Sequence, residues 1–141
     1  ALSGQYDKAV NDINAELSVF TKKKTQLTLD EIVDFYGSLA YYTPTKPTPK
    51  KALNPLFTIE KTTQEPLLQC ILQLRRLLTM HEGFRLQDVK RYGITMYRRQ
   101  VDVQSNVTAV TDSMKTGDPR LAIQLPQDVI SAGVTPNPRN K

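Results

Sequence analysis

Apolar residues in the first forty positions recur at intervals of three and four, the spacing that places side chains on one face of an α-helix. The first set is Tyr6, Ala9, Val10, Ile13, Leu17 and Phe20, followed by Lys22, Lys23 and Lys24, which suit the carboxyl end of a helix. A second helix is predicted to begin after Thr28, because Thr28 and Glu31 have the spacing of a capping box. Residues 1–40 therefore predict a pair of amphipathic helices.

The helical pattern stops between residues 41 and 62, where four prolines remove backbone donors and favour extended backbone. These prolines are Pro44, Pro47, Pro49 and Pro55. We predict a surface loop here rather than a domain boundary. Its ends carry Tyr41, Tyr42 and Phe57, which indicate that the loop packs back onto the body of the protein.

Residues 63–93 predict a central helix followed by a corner. Pro66 suits a first helical position, and the leucine-rich run after it is apolar around most of the helix. Gly83 is predicted to end this helix as a left-handed C-cap. A shorter helix is predicted from Phe84 to Tyr92, with Gly93 as its stop.

Residues 94–141 favour strands over helices. The segments ITMYRRQVDV and LAIQLP partly alternate and are rich in residues that prefer extended backbone, so each predicts a short strand. The last segment, VTPNPRNK, contains Pro136 and Pro138 and predicts an extended terminal arm. The predicted fold is mainly α with a small β component.

Composition limits this picture further. At 141 residues and 15.9 kDa the chain suits one domain with one core. Its single cysteine excludes an internal disulfide, and no apolar run approaches the roughly 20 residues needed to cross a bilayer. The first residues lack the basic and apolar regions of a signal peptide. We therefore expect a soluble chain without a targeting segment.

The net charge of +5 is concentrated in residues 75–99, which hold seven basic side chains against Glu82 and Asp88. Such a cluster is typical of nucleic-acid binding. However, the basic residues are spread over several faces of two predicted helices and a strand, and Glu82, Arg85 and Asp88 have the spacing of ion pairs. An internal ion-pair network explains the cluster at least as well. A basic nucleic-acid-binding module is therefore kept as a hypothesis that ranks below the two functions given at the end of this section.

The sequence contains no arrangement that indicates catalysis or metal binding. Cys70 and His81 are eleven residues apart, about 16 Å along a helix, so they cannot share a metal ion or a proton. Leu68, Ile71 and Leu72 flank Cys70, as expected for an inert buried thiol. There is no phosphate-binding glycine loop and no G-x-S-x-G motif. We therefore predict a binding or structural module without a cofactor, and not an enzyme.

One segment resembles the signature of a known family. The sequence EGFRLQDVKRYG, from Glu82 to Gly93, is similar to the SusD/RagB signature, whose usual form is E-G-x-R-x-x-D-L-x-R-W-G. The matching positions are Glu82, Gly83, Arg85, Asp88, Arg91 and Gly93, with Val89 in place of leucine and Tyr92 in place of tryptophan. Arg76 lies in the basic segment before the motif, which is similar to that of the family, although Leu78 stands where the family usually has glutamate.

Two further segments resemble the same family and lie in the correct order. The opening GQYDKAVNDIN is like the second helix of a family helix pair, commonly written G-x-Y-x-x-A-x-x-D-L-N. The segment from Asp118 to Arg139 is similar to the family's C-terminal close, with Leu125-Pro126 and Asn137-Pro138 at the corresponding dipeptides. Three ordered matches are harder to obtain by chance than any single one.

Members of this family are longer, α-rich lipoproteins with tetratricopeptide-like helix pairs, and they lie on the outer face of the bacterial outer membrane over a TonB-dependent transporter. The resemblance implies that residues 1–141 are the C-terminal part of one SusD-like domain. The missing N-terminal part would carry the lipid-bearing cysteine, so Cys70 is not that anchor. The resemblance also implies an oligosaccharide or peptide ligand and a SusC-like transporter as partners, with no nucleic acid.

Within this interpretation, the motif from Glu82 to Gly93 is expected to be a structural corner, and Tyr41 and Tyr42 are the candidates for ligand binding. A fragment of this kind would leave the first helix without a partner. We therefore expect an exposed apolar groove along Tyr6, Val10, Ile13 and Leu17, covered by another chain. The rival function is an intracellular helical-repeat adaptor, since helix pairs alone would suit one.

Overall fold

A computed structural model describes residues 1–22 and 26–139. Within these ranges it contains five α-helices and one two-stranded antiparallel sheet, which confirms the predicted, mainly α fold with a small β component. The elements are α1 (Tyr6–Phe20), α2 (Leu29–Ser38), α3 (Gln64–Leu78), α4 (Phe84–Tyr92), β1 (Met96–Val101), β2 (Val107–Met114), a short 3-10 helix (Pro119–Leu121) and α5 (Gln127–Ser131).

The chain divides into two compact units. The helical unit comprises residues 1–43, 47–52 and 57–83, and the hairpin unit comprises residues 44–46, 53–56 and those from 84 onward. The proline-rich loop therefore contributes residues to both units.

The helical unit has an apolar core formed by α1, α2 and α3. Its buried residues are Ala9, Val10, Ile13, Ile32, Tyr36, Leu67 and Cys70. Tyr6 and Leu17 pack against this core as partly buried side chains. The expectation of an uncovered face along Val10 and Ile13 is wrong, because the apolar stripes of α2 and α3 remove that face from water within the same chain.

The ends of α1 and α2 are set by threonine side chains. At α2, Thr28 Oγ1 accepts the Glu31 amide at 3.2 Å and Glu31 Oε2 accepts the Thr28 amide at 2.8 Å, which confirms the predicted capping box. α1 ends at Phe20, and Thr21 donates its amide and its hydroxyl to the Leu17 carbonyl. Lys22 lies beyond the last turn, whereas Lys23 and Lys24 lie outside the described residues.

α3 begins at Gln64, two residues before Pro66, with Thr63 as its N-cap, and the Glu60 carboxylate bonds the amides at this end. Glu60 Oε2 accepts the amides of Thr63 at 2.8 Å and Gln64 at 3.0 Å, which satisfies donors that the helix leaves free. The predicted C-cap at Gly83 is wrong. The helix ends at Leu78, where the Thr79 hydroxyl donates to the Arg75 carbonyl at 2.7 Å.

The hairpin unit contains one strand that the sequence predicts and one that it does not. β1 lies within the predicted segment ITMYRRQVDV, but it pairs with β2, which follows after a short turn. Asp102 forms this turn by accepting the amides of Gln104 and Asn106. The predicted strand LAIQLP is wrong. Asp118 and Pro119 start a 3-10 helix that includes Leu121, and Pro126 precedes α5, so too few residues remain between them for a strand.

The terminal arm, Val134 to Arg139, has no regular secondary structure, and its last two residues lie outside the described part of the chain. Gln124 bonds both the amide and the carbonyl of Asn137, at 2.9 and 3.1 Å. The Asn137 side chain donates back to the Ile123 carbonyl at 2.7 Å. The segment LAIQLP, which was predicted to be a strand, is therefore joined to this arm by hydrogen bonds of the Gln124 and Asn137 side chains.

Candidate functional site

The two sequence-predicted ligand candidates, Tyr41 and Tyr42, lie beside two lysines at the base of the proline-rich loop. The Tyr42 amide donates to the Lys50 carbonyl at 2.7 Å, which brings the two ends of the loop together. Lys50 Nζ then lies 4.6 Å from the centre of the Tyr41 ring, and Lys51 Nζ lies 3.4 Å from the centre of the Tyr42 ring. We name these four residues the tyrosine–lysine loop.

A buried glutamine fixes this loop to α3. Gln69 accepts the Lys51 amide at 2.9 Å and donates to the Lys51 carbonyl at 2.6 Å. Because one buried amide bonds both backbone groups of a loop residue, the loop keeps a defined position on the helix. This contact joins residues 18 apart, which is why periodicity along the chain does not reveal it.

The Tyr41 hydroxyl is held by a buried carboxylate. It donates to Glu65 Oε1 at 2.8 Å, and Lys61 Nζ lies 2.9 Å from the other Glu65 oxygen. The Glu65 side chain is only 2% exposed, so both partners compensate a charge that water cannot reach. Desolvation, and then the bond to Glu65, raises the pKa of Tyr41 to about 12. The bond to Glu65 orients the phenol, and the raised pKa keeps it protonated well above neutral pH.

This geometry separates the two tyrosines. Tyr41 is 43% exposed and retains accessible ring surface beside a cation. Tyr42 is half-buried, and Lys51 lies close over its face while donating to the Thr48 carbonyl at 2.7 Å. An exposed aromatic ring can pack against the apolar face of a sugar or peptide, while the buried Lys50 ammonium stabilises the ring from behind. Tyr41 is therefore the stronger candidate of the pair.

The segment from Glu82 to Gly93 contains α4 and the two glycines that flank it. Both glycines have positive φ, +78° at Gly83 and +60° at Gly93, which favours glycine at each position. A Cβ atom at Gly93 would also collide with the Asn54 carbonyl, whereas the space around Gly83 is open. The second glycine of the motif is thus fixed by a backbone approach as well as by its φ angle.

The charged residues of the motif have different environments. Asp88 is buried, Arg85 is half-buried, and Arg76 and Arg91 are exposed. The Arg91 guanidinium lies 5.9 Å from the centre of the Tyr92 ring, and Tyr92 itself is buried. Glu82 is exposed, and its carboxylate bonds none of the described residues. The ion-pair network predicted for Glu82, Arg85 and Asp88 therefore does not include Glu82 within the described ranges.

A groove of about 480 Å³, which the sequence did not predict, lies on the hairpin unit. It is lined by Met96, Tyr97, Arg98, Asp112, Ser113, Met114 and Arg120. Arg120 is fully engaged there, since it bonds Asp118, Asp112 and the Ser113 carbonyl. These bonds, from Asp118 first and then Asp112, raise its pKa above the usual value. The Asp118-Pro119 sequence, a helix-capping signal, was the only local sign of this cluster.

The remaining chemically active side chain, the Cys70 thiol, is part of the core. Burial raises its pKa to about 11, and its hydrogen bond with Tyr36 only partly opposes that shift. Burial also raises the pKa of Tyr36 above its usual value. The described residues contain no cluster of three or more histidine, cysteine or carboxylate side chains that could hold a metal ion. In the same ranges, none of the helices combines the length and the hydropathy that a membrane span requires.

Comparisons of the chain with protein-family models, with curated proteins and with solved structures find no match. The resemblance to SusD/RagB proteins therefore rests only on the residues of the three segments named above. Within the described residues, the tyrosine–lysine loop is our candidate for a ligand contact.

Proposed function

We propose that this chain is the C-terminal part of a SusD/RagB-type nutrient-binding lipoprotein. The whole protein would capture an oligosaccharide, or in some members a peptide, and deliver it to a TonB-dependent SusC-like transporter. It would lie on the outer face of the outer membrane, anchored through a lipid in its N-terminal part. The proposal requires binding and release, and no covalent bond is broken.

The observation that carries the proposal is the set of matched positions between Glu82 and Gly93. Four of these positions have a physical reason in this fold: two glycines have positive φ, Asp88 in α4 is buried, and the aromatic Tyr92 before the second glycine is buried. A motif defined by such constraints supports a shared corner geometry, and the function is then inferred from the family. The corner itself is structural and is not the ligand site.

The tyrosine–lysine loop is the proposed contribution of this chain to ligand binding. Tyr41 would supply the ring surface, and Lys50 would stabilise the ring from its buried position, where it also donates to the Gly37 carbonyl at 3.3 Å. Most of the ligand site would lie in the N-terminal part of the protein. We therefore expect Tyr41 to tune affinity rather than to determine it alone.

A binding screen with glycans and peptides on the full-length protein tests this function. Tyr41→Ala should weaken the best ligand by about tenfold, the effect of losing one aromatic contact. The matched control is Phe35→Ala, which removes an exposed ring from α2 in the same unit. Absence of any glycan or peptide ligand, or an equal loss in both variants, would contradict the assignment of Tyr41.

The structural role of the corner has its own test. Arg85→Ala or Asp88→Ala should lower the melting temperature before it lowers ligand affinity, because removing one partner of a partly buried polar group leaves the other uncompensated. Affinity lost at an unchanged melting temperature would instead place these residues in the ligand site.

The gene sequence upstream separates the proposal from its rival. A signal peptide followed by a lipobox cysteine supports a surface lipoprotein. Its absence would favour the intracellular helical-repeat adaptor, which needs only the helix pairs.

A further inference from the structure

A groove of about 420 Å³ runs between α1 and α3 of the helical unit. Its walls are formed by Ala9, Asp12, Ile13 and Glu16 of α1 and by Ile71, Leu74, Arg75 and Leu78 of α3, with Ala1 and Thr79 completing the lining. On each helix these residues have the spacing i, i+3, i+4, i+7, so each wall is one continuous helical stripe about 10 Å long. We name this feature the helix groove.

The floor of the helix groove is apolar, and its α1 rim is acidic. Ile71, Leu74 and Leu78 present branched side chains from α3, and Ala9 leaves room on the α1 side. Asp12 and Glu16 lie one helical turn apart on the α1 rim and are both exposed. No hydrogen bond or ion pair among the described residues includes either carboxylate. Arg75, the cation in the lining, belongs to the opposite wall on α3, so the α1 rim itself carries two negative charges.

Two features of the helix groove determine which occupant can bind there. Two helical stripes side by side offer ridges and grooves into which the side chains of a third helix can pack. The acidic rim favours lysine or arginine on the flank of that helix that faces α1. A second copy meets this requirement poorly, because a two-fold contact between the α1 helices would bring the same acids together.

We propose that the helix groove docks an amphipathic helix of a partner protein, with leucine-sized residues toward α3 and basic residues toward Asp12 and Glu16. The contact is independent of nutrient capture, since it uses no residue of the tyrosine–lysine loop. The apolar floor supplies the affinity, and the acidic rim selects the partner and its orientation.

A pair of designed peptides tests the proposal on the full chain. Each is a helix of about 14 residues, long enough for partial helicity, with leucines at i, i+3, i+4 and i+7. One carries lysines along a single flank, and the other carries glutamates at the same positions. Fluorescence anisotropy should show that the lysine peptide binds about tenfold more tightly, and that added salt reduces the difference.

Protein variants then locate the contact. Asp12→Lys combined with Glu16→Lys should reverse the preference between the two peptides, and both positions are exposed, so the fold should tolerate them. Asp34→Lys, a charge reversal on the exposed surface of α2 that does not line the groove, is the control and should leave the preference unchanged. Leu78→Asn should weaken both peptides with the helical circular-dichroism signal retained.

The proposal is overturned by equal affinity for the two peptides, by absence of binding to either, or by an unchanged preference in the doubly reversed variant. Analytical ultracentrifugation adds one more decisive outcome. A dimer of the chain that excludes the lysine peptide would place a second copy in the helix groove, in contradiction to a partner helix.

Discussion

The two units of this protein are stabilised in different ways. In the helical unit, three amphipathic helices bury a connected apolar cluster that includes Ile13, Ile32 and Leu67. In the hairpin unit, buried apolar side chains are fewer, and much of the structure is held by side chains that bond backbone carbonyls and amides, as Arg120, Gln124 and Asn137 do. The stability of the helical unit should therefore depend on the volume of its buried side chains, and that of the hairpin unit on the positions of individual hydrogen-bonding atoms.

The largest expected effect is at the centre of the apolar cluster. Leu67 is fully buried, so Leu67→Ala should cost about 3 kcal/mol of unfolding free energy through lost burial and a residual cavity. Urea denaturation followed by the helical circular-dichroism signal measures this loss. Leu77→Ala, on the same helix but 54% exposed, should cost less than about 0.5 kcal/mol. Similar losses at both positions would mean that α3 is not anchored through its buried half.

The second effect concerns backbone position in the hairpin unit. Gly93→Ala should cost about 2–3 kcal/mol, because an L-residue at this positive φ is strained and its Cβ would meet the Asn54 carbonyl. Gly83→Ala is the matched control, with a similar φ and open space around it, and should cost about 1 kcal/mol. Thermal unfolding of both variants gives the difference in stability. Equal losses would mean that the contact with the Asn54 carbonyl adds nothing to the cost.

A smaller effect is expected in the polar cluster around Arg120. Asp118 caps the 3-10 helix and bonds the guanidinium, and its side chain is 6% exposed, so Asp118→Ala should cost about 2 kcal/mol. Asp112→Ala should cost less, because that carboxylate is 32% exposed and water can replace part of its contact. Hydrogen exchange of the β2 amides would report the two losses. Faster exchange in the Asp112 variant than in the Asp118 variant would reverse this order.

The smallest effect is a pH dependence in the helical unit. Hydrogen bonds from the Thr62 side chain, and then from the amides of Gln64, Thr62 and Thr63, lower the pKa of Glu60 from 4.5 to about 2. A carboxylate with a lowered pKa in the folded state stabilises the protein fully above 4.5, and this contribution is lost as the pH falls toward 2. Wild type should therefore lose its advantage over Glu60→Gln across that interval, as measured by melting temperature. If the melting temperatures of the two proteins fell in parallel as the pH is lowered, the stabilising role of the Glu60 carboxylate at α3 would be contradicted.

The sequence predicts the parts of this fold that depend on neighbours along the chain. The capping box at Thr28 and the span of α4 from Phe84 to Tyr92 are confirmed at the predicted residues, because both follow from patterns within a few positions. β2 was not predicted, since its pairing with β1 depends on a turn that the Asp102 side chain stabilises. The burial of the α1 face was also missed, because it depends on three helices meeting.

The same limit applies to the candidate site. Tyr41 and Tyr42 were selected as aromatic residues at a loop end, and the structure adds the lysines over their rings and the buried glutamate under Tyr41. The Tyr41–Glu65 bond spans 24 positions and the Lys51–Gln69 bonds span 18, so no local pattern indicates them. Residue type could identify the loop, but not which tyrosine keeps accessible ring surface.

The hairpin of β1 and β2 has a consequence for solubility. Each strand of a two-stranded sheet has one edge whose backbone groups can pair with another molecule, which is a common route to aggregation. Here the pairing register shifts between Arg98 and Arg99 and again between Gln100 and Val101, and such irregularities twist a strand and interrupt a regular edge. The adjacent arginines add positive charge that repels an identical strand. We expect this hairpin to resist intermolecular strand addition even at high protein concentration.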